Sequence, residues 1–164
     1  MQRIHLIATG GTIEKIYSEQ RGSVENLESK IESYLKRLRL PDAEVDTTRL
    51  MNKDSLEMTE ADRAQVLATV KSKLDAPIVI THGTDTMVET ADVLGREIRD
   101  KTVVLTGAMV PYAFGSSDGL FNLGSALSFA QTLPPGVYIA MNGRCFTWDN
   151  VVKNRSAGIF EPLR

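Results

Sequence analysis

The sequence of 164 residues is 42% hydrophobic and 24% charged, with a net charge of about −2 at pH 7. This length and composition predict one globular domain, residues 1–164, with a buried core. The small net charge argues against nucleic acid or an anionic membrane as a partner, and no apolar run approaches a membrane span. A lone cysteine, Cys145, excludes an internal disulfide. The chain opens on a strand rather than a signal peptide, so the cytoplasm is the expected location.

The first predicted strand is the short apolar run Ile4–Ala8, which is followed closely by two glycines. Such a run is typical of a buried strand in a parallel sheet. Gly10 and Gly11 permit a sharp turn with open N–H groups, and Thr9 and Thr12 flank them. Ligands bind at the carboxyl ends of strands in open α/β sheets, so this turn is a candidate site. The same residues also fit an ordinary strand-to-loop turn.

The segment after this turn is polar over Glu14–Ser23 and has no periodicity, so we expect a loop there. Apolar residues at three- and four-residue steps then predict an amphipathic helix from Val24 to Leu38, ended by Pro41. The remaining predicted elements of this half are a strand over Ala43–Leu50, a polar loop over Met51–Met58, and a helix that begins at a Thr59–Asp62 capping box and runs to about Leu74.

The second half repeats the order of strand, glycine turn and helix. A strand predicted over Pro77–Thr81 is followed by His82-Gly83-Thr84-Asp85-Thr86, and Asn142-Gly143 is a hairpin signal. No element is predicted over Asp149–Arg164. The other predicted elements are a helix over Met87–Ile98, a strand over Thr102–Leu105, a loop over Met109–Ser117, a helix over Asp118–Thr132, a strand over Gly136–Met141 and a hairpin strand over Arg144–Trp148.

This alternation predicts the α/β class, with one three-layer domain in which a mostly parallel sheet carries helices on both faces. The carboxyl ends of parallel strands meet at one edge of a sheet. We therefore expect Thr12, Thr84, Asp85 and the loop after Thr106 to lie around one crevice.

Few chemistries fit the polar residues expected around this crevice. With two histidines and one cysteine, we expect no Cys/His metal site; His5 is predicted to be a core histidine and His82 to have a structural role. The serines form no Gly-x-Ser-x-Gly elbow, and Thr9-Gly-Gly-Thr12 is neither a dinucleotide fingerprint nor a phosphate loop. What remains fits a threonine nucleophile that is activated by a base and attacks an acyl carbon. N–H groups at the glycine turns would stabilise the oxyanion.

Two motifs resemble the signatures of the bacterial-type L-asparaginase family: Thr9-Gly10-Gly11-Thr12-Ile13 and His82-Gly83-Thr84-Asp85-Thr86. The pair in this order is highly specific, whereas either motif alone is weak. The resemblance covers essentially the whole chain and implies a fold like the asparaginase N-terminal domain. Stretches similar to later segments of the family are Leu105–Met109, Ser117-Asp118-Gly119, Phe121-Asn122-Leu123 and Val151–Asn154.

The resemblance implies a role for each matching residue. Thr12 would be the nucleophile that forms an acyl-enzyme. Thr84, Asp85 and Lys153 would form a second cluster, in which the lysine assists removal of the threonine proton. Asp85 would also hold the substrate α-amino group by a charge-assisted hydrogen bond. The other substrate-binding residues implied are Gly11, Asp54, Gly83, Ser55 for the α-carboxylate, and Ala108, whose carbonyl would receive the leaving amide nitrogen. Apart from the resemblance, Lys153 also fits a surface lysine.

The sequence departs from the family pattern in three respects. Tyr17 is assigned the role of the family's catalytic loop tyrosine, although that tyrosine usually lies further along, nearer Ser23 and Glu25. Leu56 stands where a polar substrate contact is common, so substrate choice can differ. Family members continue into a second, smaller domain whose acidic residue completes a neighbouring subunit's site. Here the sequence ends at Arg164, so a short form without that domain is expected.

The first hypothesis is an amidohydrolase, without a cofactor or metal, that converts L-asparagine to L-aspartate and ammonia. We expect a homodimer or larger homo-oligomer, since the missing domain would leave apolar surface exposed. The second hypothesis is a non-catalytic amino-acid-binding or regulatory module, against which Lys153 counts, because binding alone needs no proton-handling lysine. The third is a hydrolase of another amide, such as glutamine.

Overall fold

The computed structural model describes residues 1–164 and contains four α-helices, ten β-strands and three short 3₁₀ helices. The α-helices are α1 (Ile31–Leu35), α2 (Glu60–Ser72), α3 (Met87–Glu97) and α4 (Gly119–Thr132). The strands are β1 (Gln2–Gly10), β2 (Ile16–Ser18), β3 (Ser23–Glu25), β4 (Ala43–Lys53), β5 (Ile78–Thr81), β6 (Thr102–Thr106), β7 (Gly136–Met141), β8 (Arg144–Thr147), β9 (Val152–Asn154) and β10 (Ile159–Glu161). The 3₁₀ helices are Thr12–Glu14, Lys36–Leu38 and Ser55–Glu57.

Six strands form the central sheet in the order β4-β1-β5-β6-β7-β8. Parallel pairing runs from β4 through β1, β5 and β6 to β7. The last strand, β8, is antiparallel to β7, because Asn142 (φ 51°) and Gly143 (φ 82°) turn the chain straight back. The prediction of a mostly parallel sheet with one hairpin is confirmed.

Helices cover both faces of the sheet, as predicted. On one face, Ile4, Leu6 and Ala8 of β1 belong to an apolar cluster with residues of α1 and α4. On the other face, Ile7 belongs to a second cluster with residues of α2 and α3. Successive side chains of a strand point to opposite faces, which is why a strand buried on both faces has a continuous apolar sequence. Because the helices cover the two faces, the loops that follow the parallel strands lie at the carboxyl edge of the sheet.

The segment after the first glycine turn differs from its prediction. The loop expected over Glu14–Ser23 contains a hairpin, in which β2 pairs antiparallel with β3. The helix expected over Val24–Leu38 is wrong in its first half, because Val24 lies in β3 and α1 begins at Ile31. Val24 and Leu27 are 40% and 46% exposed, so their helical spacing does not mark a buried face.

Other boundaries shift less. β4 extends past the expected end at Leu50 to Lys53. The predicted capping box of α2 is confirmed: Asp62 N donates to Thr59 Oγ1 (3.2 Å), and Thr59 N donates to Asp62 Oδ2 (2.9 Å). The C-terminal stretch without a predicted element forms a second hairpin, β9–β10. None of the helices combines the length and the apolar character that crossing a membrane requires.

Candidate active site

Four loops meet at the carboxyl edge of the sheet, after β1, β4, β5 and β6. Their backbones approach closely at glycines: a Cβ on Gly11 would lie 2.3 Å from Gly83 N, and a Cβ on Gly83 would lie 2.6 Å from Ser55 Cβ. Only glycine, which has no Cβ, allows approaches this close. Gly107 leaves equally little room, 2.3 Å, beside the His82 carbonyl. The loops that carry the predicted site residues are therefore packed directly against one another.

A lysine with two acceptors lies at this edge. Lys153 Nζ donates to Thr84 Oγ1 and to Asp85 Oδ1, each at 2.8 Å. The Lys153 side chain is only 10% exposed, and the Asp85 side chain is 33% exposed. Hydrogen bonds between an ammonium and a carboxylate are stronger than neutral ones. The three residues predicted to form a cluster thus form one hydrogen-bonded unit.

The β9–β10 hairpin positions this lysine. Phe160 of β10 pairs with Lys153 of β9 and buries its ring in the core. Arg155 lies two residues after Lys153, and its guanidinium donates to Asp85 Oδ1 (3.1 Å) and to the Asp85 main-chain carbonyl (3.0 Å). Arg155 was not among the predicted site residues. Arg155 begins the turn after β9, and no local sequence signal marks its contact with Asp85.

Ser55 lies beside this unit and is buried. Its Oγ accepts a hydrogen bond from Thr86 N (3.2 Å), and its main-chain carbonyl accepts one from Thr86 Oγ1 (2.8 Å). The Ser55 hydroxyl hydrogen is left for a ligand. The N–H groups of residues 83–85 donate to no acceptor in the protein. Free donors of this kind suit a carboxylate or a developing oxyanion.

Asp54, which is predicted to bind substrate, has both carboxylate oxygens in use. Oδ1 accepts from Leu56 N (2.9 Å) as the cap of a 3₁₀ helix, and Oδ2 accepts from Lys15 Nζ (2.6 Å). Burial alone would raise the pKa of the Asp54 carboxyl, but Lys15 and the Leu56 N–H hold it below its usual range. This geometry gives Asp54 the task of ordering the loop before Ser55, and its contact with substrate stays a prediction.

Thr12 follows a turn in which Gly10 and Gly11 have φ angles of 105° and 81°. Gly11 N donates to Lys53 O (2.9 Å), so this N–H group is not available to an oxyanion. Thr12 is half-buried, and within the protein only its main-chain carbonyl is hydrogen-bonded, to Lys15 N (3.1 Å). The Thr12 hydroxyl is therefore unpaired at the edge where the loops meet.

Tyr17 lies on β2 opposite Val24 of β3, in the hairpin that follows Thr12. Its side chain is 56% exposed. Ser23 and Glu25, which lie nearer the family position of the loop tyrosine, are on β3, and the Ser23 hydroxyl donates to the Glu25 carboxylate. The catalytic role assigned to Tyr17 stays a prediction.

Ala108 is fully buried in the loop after β6. Asp118 shapes this loop, because its carboxylate accepts from Met109 N and Val110 N, each at 3.0 Å. Burial alone would raise the pKa of Asp118, but the two N–H groups hold it below its usual range. No group of the protein donates to the Ala108 carbonyl, so this acceptor is free, as its predicted role requires.

Two polar residues that were not predicted support the glycine turn. Asn26 Nδ2 donates to Gly11 O (2.8 Å). Glu14 is 1% exposed and accepts a hydrogen bond from Ser29 Oγ; burial raises the pKa of Glu14 above its usual range. Both contacts form because the β2–β3 hairpin brings the residues after it back to the glycine turn. No local sequence signal therefore predicts them.

Both histidines have the structural character that was predicted. His82 is completely buried; Nδ1 donates to Gly83 O (2.7 Å), and Nε2 accepts from Thr90 Oγ1 (2.7 Å). Burial lowers the pKa of His82 to about 4, because the charged ring would lose its hydration. His5 is buried in β1 and lies 3.2 Å from Asp46 Oδ2.

The neutral His82 predicts a loss of stability on mild acidification. Between about pH 6.5 and about pH 4, the unfolded chain binds a proton at this histidine and the folded chain does not, so the free energy of unfolding decreases as the pH falls. Above this pH window the contribution of His82 to the free energy of unfolding is constant. Over the whole window this free energy falls by about 3 kcal/mol. Over this pH window, the free energy of unfolding measured with urea should fall more steeply for the parent than for His82→Gln. Parallel curves of this free energy against pH for the two proteins would contradict the prediction.

Several known proteins are similar to this chain over nearly its whole length. The family model described as "Asparaginase, N-terminal" matches residues 3–160. An L-asparaginase of Thermococcus kodakarensis is 34% identical over 96% of this chain and 49% of its own length. The solved thermostable L-asparaginase from Thermococcus kodakarensis superimposes with a TM-score of 0.88 at 32% identity, over 98% of this chain and 51% of that one. A Campylobacter jejuni structure described as "Probable Cytoplasmic L-asparaginase" has a TM-score of 0.83 at 31% identity, over 99% and 53%.

The matched range contains both glycine-turn motifs and the lysine of β9. The chain spans about half the length of the curated relatives it matches. The family model covers far more than half of the chain, and the superposition supports the same relationship. On these grounds the chain belongs to the asparaginase family, where it corresponds to the N-terminal domain.

Proposed function

We propose that this chain hydrolyses the side-chain amide of L-asparagine to L-aspartate and ammonia, and that residues 1–164 suffice as one catalytic domain. The observation that carries the proposal is the bridge from Lys153 Nζ to Thr84 Oγ1 and Asp85 Oδ1, at 2.8 Å each. A lysine shared by a hydroxyl and a carboxylate is suited to moving a proton. Ligand binding alone does not require such a group. The names of the curated relatives, L-asparaginases, also support this chemistry.

In the proposed mechanism, Thr12 Oγ1 attacks the amide carbon and loses its proton to a base in the site. Free N–H groups of residues 83–85 stabilise the negative charge on the amide oxygen. The C–N bond then breaks as the Lys153 ammonium donates a proton through Thr84 to the nitrogen, which leaves as ammonia beside the Ala108 carbonyl, with an ester on Thr12. Water attacks this ester, and its proton passes through Thr84 back to the Lys153 amine. The ester bond breaks, Thr12 regains a proton, and L-aspartate leaves.

Two residues are proposed to bind the amino-acid end of the substrate. The Asp85 carboxylate receives the α-ammonium group through Oδ2, because Oδ1 already accepts from Lys153 and Arg155. The Ser55 hydroxyl donates to the α-carboxylate, since its oxygen already accepts from Thr86 N. A substrate held through both groups on its α-carbon would present its side-chain amide to Thr12.

Ammonia release from L-asparagine by the purified 164-residue chain tests this function. We expect steady release that saturates at substrate concentrations between about 1 μM and 1 mM. No release at higher concentration would overturn the proposal. Calorimetry with L-aspartate would then distinguish a binding module, which retains affinity, from a protein without an amino-acid site.

A second candidate is hydrolysis of another amide, such as glutamine. The observation in its favour is Leu56, which directly follows Ser55 and is 66% exposed. An apolar side chain beside the site provides no hydrogen bond to fix the length of the substrate. Ammonia release from glutamine, measured in the same assay, decides between the two amides.

We also propose that the chain acts in the cytoplasm and forms a homo-oligomer. The resemblance to the Campylobacter jejuni protein supports the location. Exposed apolar side chains support association; Phe121 of α4, for example, is 61% exposed, and Phe114 is 37% exposed.

A further inference from the structure

Arg155 contacts the carboxylate that is proposed to bind the substrate ammonium. Its guanidinium donates to Asp85 Oδ1 (3.1 Å) and to the Asp85 main-chain carbonyl (3.0 Å). Lys153 donates to the same Oδ1 (2.8 Å). Two cations therefore share one carboxylate oxygen, and only Oδ2 is left for a ligand. The Arg155 side chain is 60% exposed, so it is not part of the core and reaches Asp85 from the solvent side.

This arrangement changes the charge that a substrate meets. Asp85 alone would attract an ammonium group, but a carboxylate shared by two cations carries no excess negative charge. An α-ammonium group must approach Oδ2 against the neighbouring guanidinium. An α-carboxylate is attracted by the same guanidinium. Arginine keeps its charge at every working pH, so proton transfer in the site cannot remove this effect.

We propose that Arg155 is a specificity-determining residue that lowers the preference of the site for substrates with an α-ammonium group. The inference rests on the proposed function, because Asp85 must face the α-substituent of the substrate. Its consequence is a broader substrate class: ω-amides of dicarboxylic acids, with or without an α-amino group. Succinamate, which is L-asparagine without that group, is the simplest member.

Calorimetric binding of L-aspartate and succinate to the 164-residue chain tests the inference, since these products differ only in the α-ammonium group. In Arg155→Gln, affinity for L-aspartate relative to succinate should rise about three- to fivefold. Arg155→Lys keeps the charge and should stay within about twofold of the parent ratio. An unchanged ratio in Arg155→Gln, or a change in favour of succinate, would overturn the inference. So would a change in Arg155→Lys as large as that in Arg155→Gln.

Arg96 provides a matched control on the outer face of α3. It donates two hydrogen bonds to Asp92 (2.8 and 3.0 Å) and is 67% exposed. Arg96→Gln should leave the ratio unchanged; an equal change there would mean that net charge alone is responsible, and would overturn the inference. So would a parent chain that binds neither dicarboxylate.

Turnover of L-asparagine and succinamate by the same proteins separates this inference from the proposed function. A changed binding ratio in Arg155→Gln without turnover by the parent would support the selectivity of Arg155 and reject hydrolysis. Turnover by the parent with an unchanged binding ratio would support hydrolysis and reject the role of Arg155.

Discussion

Replacing Thr12 with alanine should abolish ammonia release from L-asparagine and leave the fold intact. Loss of the nucleophile should lower kcat by at least about 10⁴-fold. Stability should change by no more than about 0.5 kcal/mol, as at ordinary partly exposed positions, because the Thr12 hydroxyl makes no hydrogen bond within the protein. Ammonia release and urea unfolding of the same preparations measure the two quantities.

Thr12→Ser and Thr69→Ala are the controls for this substitution. Serine keeps the hydroxyl, so its rate should stay within about tenfold of the parent. Thr69 lies on α2, where its hydroxyl donates to Gln65 O (2.8 Å), and its loss should leave the rate unchanged. A Thr12→Ala variant with a rate near that of the parent would show that another group attacks the amide.

Replacing Lys153 with methionine should lower kcat by about 10²- to 10⁴-fold, the usual contribution of a proton-transfer group. The effect should fall on kcat more than on KM, because the lysine acts on the proton and not on the ends of the substrate. The Asp85 carboxylate keeps the Arg155 guanidinium (3.1 Å) as a partner, so no unpaired charge is created in the site. Steady-state kinetics, with circular dichroism to check the fold, measures this effect.

Lys71→Met is the matched control for Lys153→Met. Lys71 Nζ also pairs with a carboxylate, Glu97 Oε2 at 2.9 Å, but on the exposed surface between α2 and α3. We expect its kcat to equal that of the parent. Equal rates in Lys153→Met and Lys71→Met would remove the lysine from the mechanism.

The central sheet could be predicted from sequence because its signals are local. Ile4–Ala8 is an apolar run followed closely by two glycines, and β1 lies buried on both faces with a turn after it. The Thr59–Asp62 capping box is also local, and it begins α2 as expected. Such elements depend on neighbouring residues in the chain, so spacing and residue type reveal them.

The two short hairpins could not be predicted in the same way. β2, β3, β9 and β10 have three residues each, which is too short for a periodic pattern. Strands of this length are stabilised by their partners more than by intrinsic propensity. Val24 therefore pairs with Tyr17 in a hairpin, although its spacing from Leu27 and Ile31 matches a helix.

By itself, the sequence determined the α/β class, the order of strands and helices, and the glycine turns that carry Thr12, Thr84 and Asp85, because apolar runs, caps and glycines act over a few residues. The contact of Lys153 with Asp85 was expected only from the family resemblance, and only the tertiary structure decided that Arg155 also touches Asp85. Lys153 and Arg155 reach it from 68 and 70 residues away along the chain, on a hairpin that Phe160 anchors in the core. Contacts over such separations depend on how the whole core packs, and no short stretch of sequence specifies them.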